Sequence, residues 1–353
     1  MAENRDSRER ALITVGTAEL DCVGRPCGTY PLVRICSFAA LLLALTTAFA
    51  GDRLTLNFNP DWKFIKSDVP EAAQPNFDDR GWTNVSTPHT YNDTDTFDNW
   101  SLPGHRGEQN QWSGRTWYRK TFAAPASFKG KKVFLEFEAV RQVAEIYFNG
   151  KLLGVSKTGF TPFGFDLTPH LRFDAPNVLA VMCDNRFMKD PPEVASEKGP
   201  ASTPSLSEIS ARVNAAIPED VDQIRADQLP WNNPHWHPAH GGIFRNVFLH
   251  VTDPLHISLP LYSFLQTAGP YAYASDTSDK SARLNLEVPI QNARNSNENV
   301  ELTAHVLDHD GKSVLSLKTS AQIARGARAD FTVSGRLENP RLWEPDYPYH
   351  YRV

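Results

Sequence analysis

The amino-acid sequence predicts an all-β protein built from two successive β-sandwiches. Beyond residue 51, apolar residues alternate with polar ones, as in Val133, Leu135 and Phe137. Asn-Gly and Asp-Gly pairs are strong signals for hairpin turns, and they follow such runs at residues 149–150 and 310–311. Short strands separated by regular turn signals are typical of sandwich folds.

The same alternation recurs along the chain at 144–148, 247–251, 284–290 and 300–306. Residues 349–353 are also predicted to form a strand. Pro, Ser, Glu and Gly are frequent at 190–204, which predicts a loop. Apolar residues at near-helical spacing then predict one short helix at 205–216.

These patterns predict three regions. Residues 1–50 are a signal peptide with an over-long N-terminal region. Residues 51–252 form the first sandwich domain, with a loop and helix insertion at 190–230. Residues 253–353 form the second, smaller sandwich domain, because Pro254 cannot continue a central strand ladder. The second domain is expected to be incomplete, since the sequence stops directly after a predicted strand.

The apolar run at 37–50 is typical of a secretory signal. Arg34 precedes it, and Ala48-Phe49-Ala50 forms a small-x-small cleavage site. The run is too short to span a membrane comfortably, so no stable membrane anchor is expected. A buried helix or an anchor is the alternative. The polar residues 1–31 suggest that translation starts near Leu32 or Val33. The prediction is an exported protein, either periplasmic or extracellular.

Cysteine content and charge exclude several classes. Cys22, Cys27 and Cys36 precede the predicted cleavage, so the mature chain has no internal disulfide, and Cys183 is predicted to be a core residue. The 36 Lys and Arg against 41 Asp and Glu give a net charge of −5 without a long basic run. Nucleic acid and anionic membrane surfaces are therefore not expected partners.

Several ordered motifs carry a family resemblance. They are NFDDRGW at 76–82, PHTYN at 88–92, WYRKTF at 117–122, IYFNG at 146–150, GFTPFGFDLT at 159–168, and WNNPHWHPAHGGIFRNV at 231–247. In this order they resemble the N-terminal jelly-roll domain of glycoside hydrolase family 2. NPRLWEP at 339–345 is similar to a run in the family's immunoglobulin-like domain.

The resemblance implies a jelly-roll β-sandwich followed by an immunoglobulin-like β-sandwich. It also implies an enzyme that hydrolyses O-glycosyl bonds, with a carbohydrate as its partner. A β-galactoside is the first expected substrate, while a β-glucuronide, a β-mannoside and a glucosaminide remain open.

A sugar offers apolar C–H faces and a ring of hydroxyls, so its recognition needs aromatic platforms and hydrogen-bonding side chains. The resemblance places substrate binding on the loop at 231–240, which two prolines stiffen. Many family members carry an Asp on this loop, whereas His and Asn predominate here. The candidate substrate-binding residues are Asn232, Asn233, His235, Trp236, His237, Asn92 and Asp93.

A metal site is the alternative for the same loop. His235, His237 and His240 form an H-x-H-x-x-H run, and neutral imidazoles bind zinc. No Cys or carboxylate lies nearby in sequence, so neither a metal site nor a cofactor is predicted. Sodium or magnesium occurs in some family members, but no ligands for it can be placed here.

No catalytic residue is assigned to this chain. Retaining glycosidases need two carboxyl groups about 5–5.5 Å apart. The resemblance implies that both belong to a (β/α)8 barrel, which takes roughly 250 residues. Glu136 and Glu138 are expected to face solvent, and Asn297-Glu298 to lie in a solvated hairpin loop at 291–299.

The sequence therefore predicts the N-terminal portion of an exported family 2 enzyme, with a C-terminal barrel as its missing partner. The alternative is a stand-alone carbohydrate-binding or surface protein without catalytic activity.

Overall fold

The computed structural model describes residues 53–91, 114–185, 221–224 and 241–353. The described residues divide into two compact units. The first contains Arg53–Val251 and Leu261–Thr267, and the second contains Thr252–Pro260 and Ala268–Val353. The predicted signal peptide, the loop at 190–204 and the helix at 205–216 lie outside the described residues. No helix within the described ranges has the length and apolar character needed to cross a membrane.

The first unit contains ten strands among its described residues. They are β1 (Leu54–Asn57), β2 (Trp62–Ile65), β3 (Thr83–Val85), β4 (Arg115–Phe122), β5 (Lys132–Phe137), β6 (Val143–Phe148), β7 (Lys151–Ser156), β8 (Phe163–Asp166), β9 (Asn177–Asp184) and β10 (Val247–Thr252). Short helical turns lie at Pro70–Ala73, Ala126–Phe128, Thr168–His170, Val221–Gln223 and Tyr262–Leu265.

These strands form two sheets that pack face to face. The six-stranded sheet has the order β3-β2-β4-β9-β6-β7, and the four-stranded sheet has the order β1-β10-β5-β8. Tyr118, Phe148 and Leu179 of the first sheet share one core with Leu135 and Phe163 of the second. Completely burying one such side chain contributes about 1.5–3 kcal/mol. The packing confirms the predicted β-sandwich and places these aromatic residues in its core.

The six-stranded sheet is covered on both of its faces. Its outer face carries a second apolar cluster, which includes Trp117, Val143 and Met182 and is covered by the turns at Pro70–Ala73 and Val221–Gln223. All eight residues of β9 are buried as a result. Burial on two faces explains why residues 178–183 are continuously apolar rather than alternating.

The Asn149-Gly150 turn joins β6 to β7, as predicted. Both residues have positive φ angles, 52° and 85°, which a two-residue hairpin turn of this kind requires. The Asn149 amide donates to the carbonyl of His170 (2.9 Å) and to the Asn177 side chain (3.0 Å). The turn is therefore tied to the sheet as well as closing the hairpin.

A buried arginine organises the loop at 72–82. The Arg119 guanidinium, 1% exposed, donates to the carbonyls of Ala72 and Gln74 and pairs with Asp79 at 2.9 Å. Trp82 donates its backbone N–H to Asp79 and packs on Phe77. Asp79 and Trp82 of the NFDDRGW motif therefore have structural roles, in a turn and in packing, and Asp79 also pairs with the buried Arg119.

The second unit is a smaller sandwich. Its strands are β11 (Leu255–Ile257), β12 (Tyr271–Ser275), β13 (Ser281–Asn292), β14 (Glu298–Leu307), β15 (Ser313–Ile323) and β16 (Arg328–Glu338). β13 pairs with β11, β12 and β16, while β14 pairs with β15 across the predicted turn at Asp310-Gly311. Leu286, Val300, Leu317 and Phe331 contribute to the core.

Two predictions for this unit were wrong. Residues 293–297 do not close a hairpin, because β13 and β14 belong to different sheets. The buried Asn292 amide shapes this crossing by donating to the carbonyls of Ser296, Ile323 and Ala324. Residues 349–353 form no strand. Within them, Arg352 forms an isolated antiparallel bridge with Leu307.

The segment Leu261–Thr267 completes the first unit, although it follows β11 in the chain. Leu261 is fully buried, and a β-carbon added to Gly164 would lie 2.6 Å from its side chain. Phe264 packs on Phe165 with ring centroids 4.6 Å apart and ring planes tilted by 34°. The core of the first sandwich therefore draws on residues from beyond β10.

Replacing Arg119 by methionine should destabilise the first unit by about 3 kcal/mol. The loss leaves several buried carbonyls and the Asp79 carboxylate without their donor. Urea denaturation followed by tryptophan fluorescence measures the change. Arg80→Met is the matched control, since Arg80 is exposed and pairs with the exposed Asp78. Equal unfolding midpoints for the two variants would contradict the role assigned to Arg119.

Cys183 should resist alkylation in the folded protein. The thiol is fully buried, and burial together with the neighbouring Asp184 charge raises its pKa well above the usual range. Iodoacetamide labelling at pH 8.5 followed by peptide mapping should find Cys183 unmodified until urea is added. Rapid labelling of the native protein would contradict its assignment as a core residue.

Candidate functional site

The predicted substrate-binding residues Asn92, Asp93, Asn232, Asn233, His235, Trp236 and His237 lie outside the described residues. The same holds for His240 of the alternative metal run. What the structure does define is where their segments leave the first sandwich and return to it. These positions are called the loop roots: His89–Tyr91, Gly114–Arg115, Asp184–Asn185, Asp222 and Gly241–Ile243.

The first pair of loop roots joins the two predicted sugar-binding segments. The backbone N–H of Tyr91, which directly precedes Asn92, donates to the carbonyl of Gly241 at 3.2 Å. Gly241 directly follows His240. Two residues before Tyr91, the backbone N–H of His89 donates to the carbonyl of Ile243 at 2.8 Å. Segment 92–113 therefore starts beside the point where segment 225–240 ends.

Two glycines make this close approach sterically feasible. A β-carbon on Gly241 would lie 2.2 Å from the Tyr91 hydroxyl oxygen. A β-carbon on Gly242 would lie 2.6 Å from the His89 carbonyl and from the Tyr118 hydroxyl, and Gly242 has a φ of +126°. At position 242, no residue type other than glycine fits the available space and adopts this backbone angle without strain.

Aromatic packing fixes the His89–Tyr91 root. His89 Nδ1 lies 2.7 Å from the hydroxyl of Tyr118, which is fully buried on β4. The Phe64 ring packs against both side chains, with centroid distances of 4.8 Å. Lys66 donates to the Tyr91 carbonyl at 3.1 Å. The root is thus held from several directions by the sheet beneath it.

Arg141 supports the Gly241–Ile243 root. Its backbone exchanges two hydrogen bonds of 2.9 Å with Gly242, and its guanidinium lies 4.6 Å from the centroid of the Phe160 ring. Arg141 is 3% exposed, and burial lowers its pKa to about 10. The side chain remains cationic at neutral pH, so a positive charge lies behind this root.

The second pair of loop roots joins segments 92–113 and 186–220. Gly114 donates to the Asn185 side chain at 2.8 Å, and Asn185 donates back to the Gly114 carbonyl at 3.3 Å. Arg115 pairs with the fully buried Asp184 at 3.2 Å and also with Asp68 and Asp222. Asp222 lies between segments 186–220 and 225–240. Strand β4 thus links the ends of all three long segments.

Glu136, Glu138 and Glu298, which are not assigned a catalytic role from the sequence, have structural partners. Glu136 lies 2.6 Å from His250 Nε2, and Glu138 accepts from the Asn246 amide at 2.8 Å. The prediction that they face solvent was wrong, because this cross-strand pairing partly buries both. Glu298 begins β14, is 12% exposed and pairs with Arg294, so it is not part of a solvated loop.

No cluster of three or more His, Cys, Asp or Glu able to hold a metal occurs among the described residues. Sequence reasoning missed Arg115, Tyr118, Arg141 and the two glycines as organisers of the site. The only local signal among them is the Gly241-Gly242 pair, because paired glycines allow the backbone to approach its neighbours closely.

Family profiles match most of the described chain. A profile described as a glycosyl hydrolase 2 galactose-binding domain-like family matches residues 62–239, and one described as glycosyl hydrolases family 2 matches residues 269–353. The first match covers just over half of the chain. The two profiles occur in the order that the motifs predicted.

Individual relatives agree with these profiles. A β-glucuronidase of Formosa agariphila is 45% identical over 305 residues, which is 86% of this chain and 28% of the relative. A β-galactosidase of Bacteroides ovatus is 30% identical over 316 residues, covering 87% of this chain and 30% of the relative.

Solved structures show the same relation. The structure of a β-glucuronidase from glycoside hydrolase family 2 has a TM-score of 0.70 at 44% identity, covering 86% of this chain and 29% of that one. A Bacteroides uniformis β-glucuronidase has a TM-score of 0.63 at 27% identity. This chain spans less than a third of the length of each of these proteins. By its fold and by these matches, the chain belongs to glycoside hydrolase family 2.

Proposed function

We propose that this chain supplies the sugar-binding and immunoglobulin-like sandwiches of an exported β-glycosidase. The whole enzyme hydrolyses a terminal O-glycosyl bond, with its two catalytic carboxyl groups on a C-terminal (β/α)8 barrel. The contribution of this chain is to hold the terminal sugar with side chains from segments 92–113 and 225–240.

The observation that carries this proposal is the hydrogen bond between Tyr91 and Gly241. Two segments that are far apart in sequence begin and end at neighbouring positions on a rigid sheet. In the chain, Asn92 and Asp93 directly follow Tyr91, and the loop that carries Trp236 and His237 directly precedes Gly241. Aromatic and hydrogen-bonding groups from two such segments can act on one sugar, and a rigid base limits the entropy lost on binding.

A β-glucuronide is the first candidate substrate. The sequence motifs alone favoured a β-galactoside. The 45% identity to a β-glucuronidase, against 30% to a β-galactosidase, favours the glucuronide over it. The β-galactoside becomes the second candidate.

The product of the complete gene should hydrolyse p-nitrophenyl β-glucuronide faster than p-nitrophenyl β-galactoside. Asn232→Ala and His235→Ala should each lower kcat/KM about tenfold, since each removes a hydrogen bond to the sugar worth on the order of 1.4 kcal/mol. The matched controls are Asn295→Ala and His305→Ala, which alter exposed residues of the second unit. Hydrolysis of neither substrate, or site variants indistinguishable from their controls, would refute the proposal.

The 353-residue chain alone should hydrolyse neither substrate, because the proposal places both catalytic carboxyl groups on the C-terminal barrel. Calorimetric titration of this chain with glucuronic acid and with galactose tests the alternative of a self-sufficient binding protein. Tight monosaccharide binding, with a dissociation constant in the low micromolar range, would favour that alternative.

Replacing Gly242 by alanine should lower both stability and activity. The added methyl group meets the His89 carbonyl and the Tyr118 hydroxyl at a backbone angle that favours glycine, at an expected cost of about 2 kcal/mol. In the complete enzyme, kcat/KM should fall as the loop roots separate. Gly81→Ala is the control, because a β-carbon there has no neighbour within 4 Å. Equal activity and equal unfolding midpoints in both variants would show that the loop roots tolerate displacement.

A further inference from the structure

A pair of exposed tyrosines stands on β12 of the second unit, away from the loop roots in sequence and in unit. Tyr271 is 60% exposed and Tyr273 is 37% exposed. They are two residues apart on one strand, so both side chains project from the same face of the sheet. Their rings are nearly parallel, at an interplanar angle of 30°, with centroids 5.3 Å apart. Each ring therefore restricts the movement of the other.

Polar residues continue this face across the neighbouring strands. On β13, Glu287 lies opposite Tyr271 and Asn285 lies opposite Tyr273. On β16, Thr332 lies opposite Glu287 and Ser334 lies opposite Asn285. The group formed by Tyr271, Tyr273, Asn285, Glu287, Thr332 and Ser334 is called the tyrosine face.

The flanks of the tyrosine face are balanced in charge. Arg283 lies 3.5 Å from Asp276, and Arg336 lies 2.8 Å from Glu338. All four side chains are more than half exposed, so their charges are paired at the surface. A surface of this kind offers little net attraction to a polyanion and suits an uncharged ligand.

The chemistry of the tyrosine face matches a pyranose chain. Aromatic rings accept the apolar C–H faces of sugar rings, while hydroxyl, amide and carboxylate groups hydrogen-bond to sugar hydroxyls. Neither tyrosine hydroxyl has a protein partner within the described part of the chain. Asn285 is already oriented, since its amide donates to the Ser275 hydroxyl at 3.0 Å.

We propose that the tyrosine face is a second carbohydrate-binding surface, which holds a neutral polysaccharide chain. It differs from the sugar site of the proposed function in unit, residues and ligand size. A rigid three-strand base presents it, so little ordering accompanies binding. Its role is to keep the enzyme close to a polysaccharide with a neutral backbone, whereas the loops hold the one terminal sugar, charged or neutral, that is cleaved.

Affinity gel electrophoresis of the 353-residue chain tests this inference. Gels contain xylan, arabinogalactan or laminarin as neutral polymers, or hyaluronan as the anionic polymer. At least one neutral polymer should retard the chain, and the double variant Tyr271→Ala/Tyr273→Ala should reduce the apparent affinity at least about tenfold. Tyr347→Ala is the matched control, because Tyr347 is 69% exposed in the same unit but outside the tyrosine face.

A second variant separates binding from folding. Tyr271→Phe/Tyr273→Phe keeps the ring packing and removes only the hydroxyls, so it should bind more weakly than wild type and more strongly than the alanine pair. The unfolding midpoints of all variants are compared by urea titration.

Three results would overturn the inference. One is no retardation by any neutral polymer. Another is retardation by hyaluronan alone that salt abolishes. The third is a shift from dimer to monomer on gel filtration of the alanine pair, which would make the face a contact between copies. None of these results depends on the hydrolysis assays, so the two proposals fail separately.

Discussion

The pairing of β4 with β9 at the centre of the six-stranded sheet holds the strand whose side chains reach the described loop roots of the first sandwich. Both strands are eight residues long and pair along their whole length. From β4, Arg115 reaches the Asp184 and Asp222 carboxylates, Tyr118 reaches His89, and Arg119 reaches the loop at 72–79. One strand thus connects the apolar core to each set of loop roots.

The interior of this sandwich tolerates buried cations because each is surrounded by acceptors or aromatic rings. Arg119 is surrounded by carbonyls and the Asp79 carboxylate. Lys120 lies 4.6 Å from the centroid of the Phe58 ring, and burial lowers its pKa. Removing such a partner leaves a charge with poor solvation, which costs far more than an exposed pair contributes.

Local patterns were sufficient to predict much of the fold. Alternation located β5, β6, β10, β13 and β14, and the Asn149-Gly150 turn fixed one hairpin, because these features depend on neighbours within a few residues. The pairing of Glu136 with His250, by contrast, spans 114 residues. Alternation indicates that such a carboxylate points away from the core, but it does not indicate which side chain covers it. The connection after Asn292 was wrongly predicted to be a hairpin for the same reason, because polar residues between two strands occur in hairpins and in crossovers alike.

For the candidate site, too, features that depend on near neighbours in sequence could be predicted, whereas contacts between distant residues could not. Family motifs identified the residues expected to contact sugar, but nothing local revealed that Tyr91 and Gly241 meet across 150 positions. Likewise, no sequence pattern showed that the tyrosine pair on β12 is exposed, since Tyr is common in ordinary strands. Only the exposure of both rings beside an open polar face distinguishes them from ordinary strand residues.

The return of Leu261–Thr267 to the first sandwich affects how such proteins can recombine. A genetic crossover placed after Val251, where the two units first divide, would exchange the second unit together with Leu261 and Phe264. The recipient sandwich would then inherit foreign side chains against Gly164 and Phe165. Viable chimaeras should therefore place their breakpoint beyond Thr267. Recombination that keeps the first sandwich intact has to transfer the seven residues Leu261–Thr267 together with it.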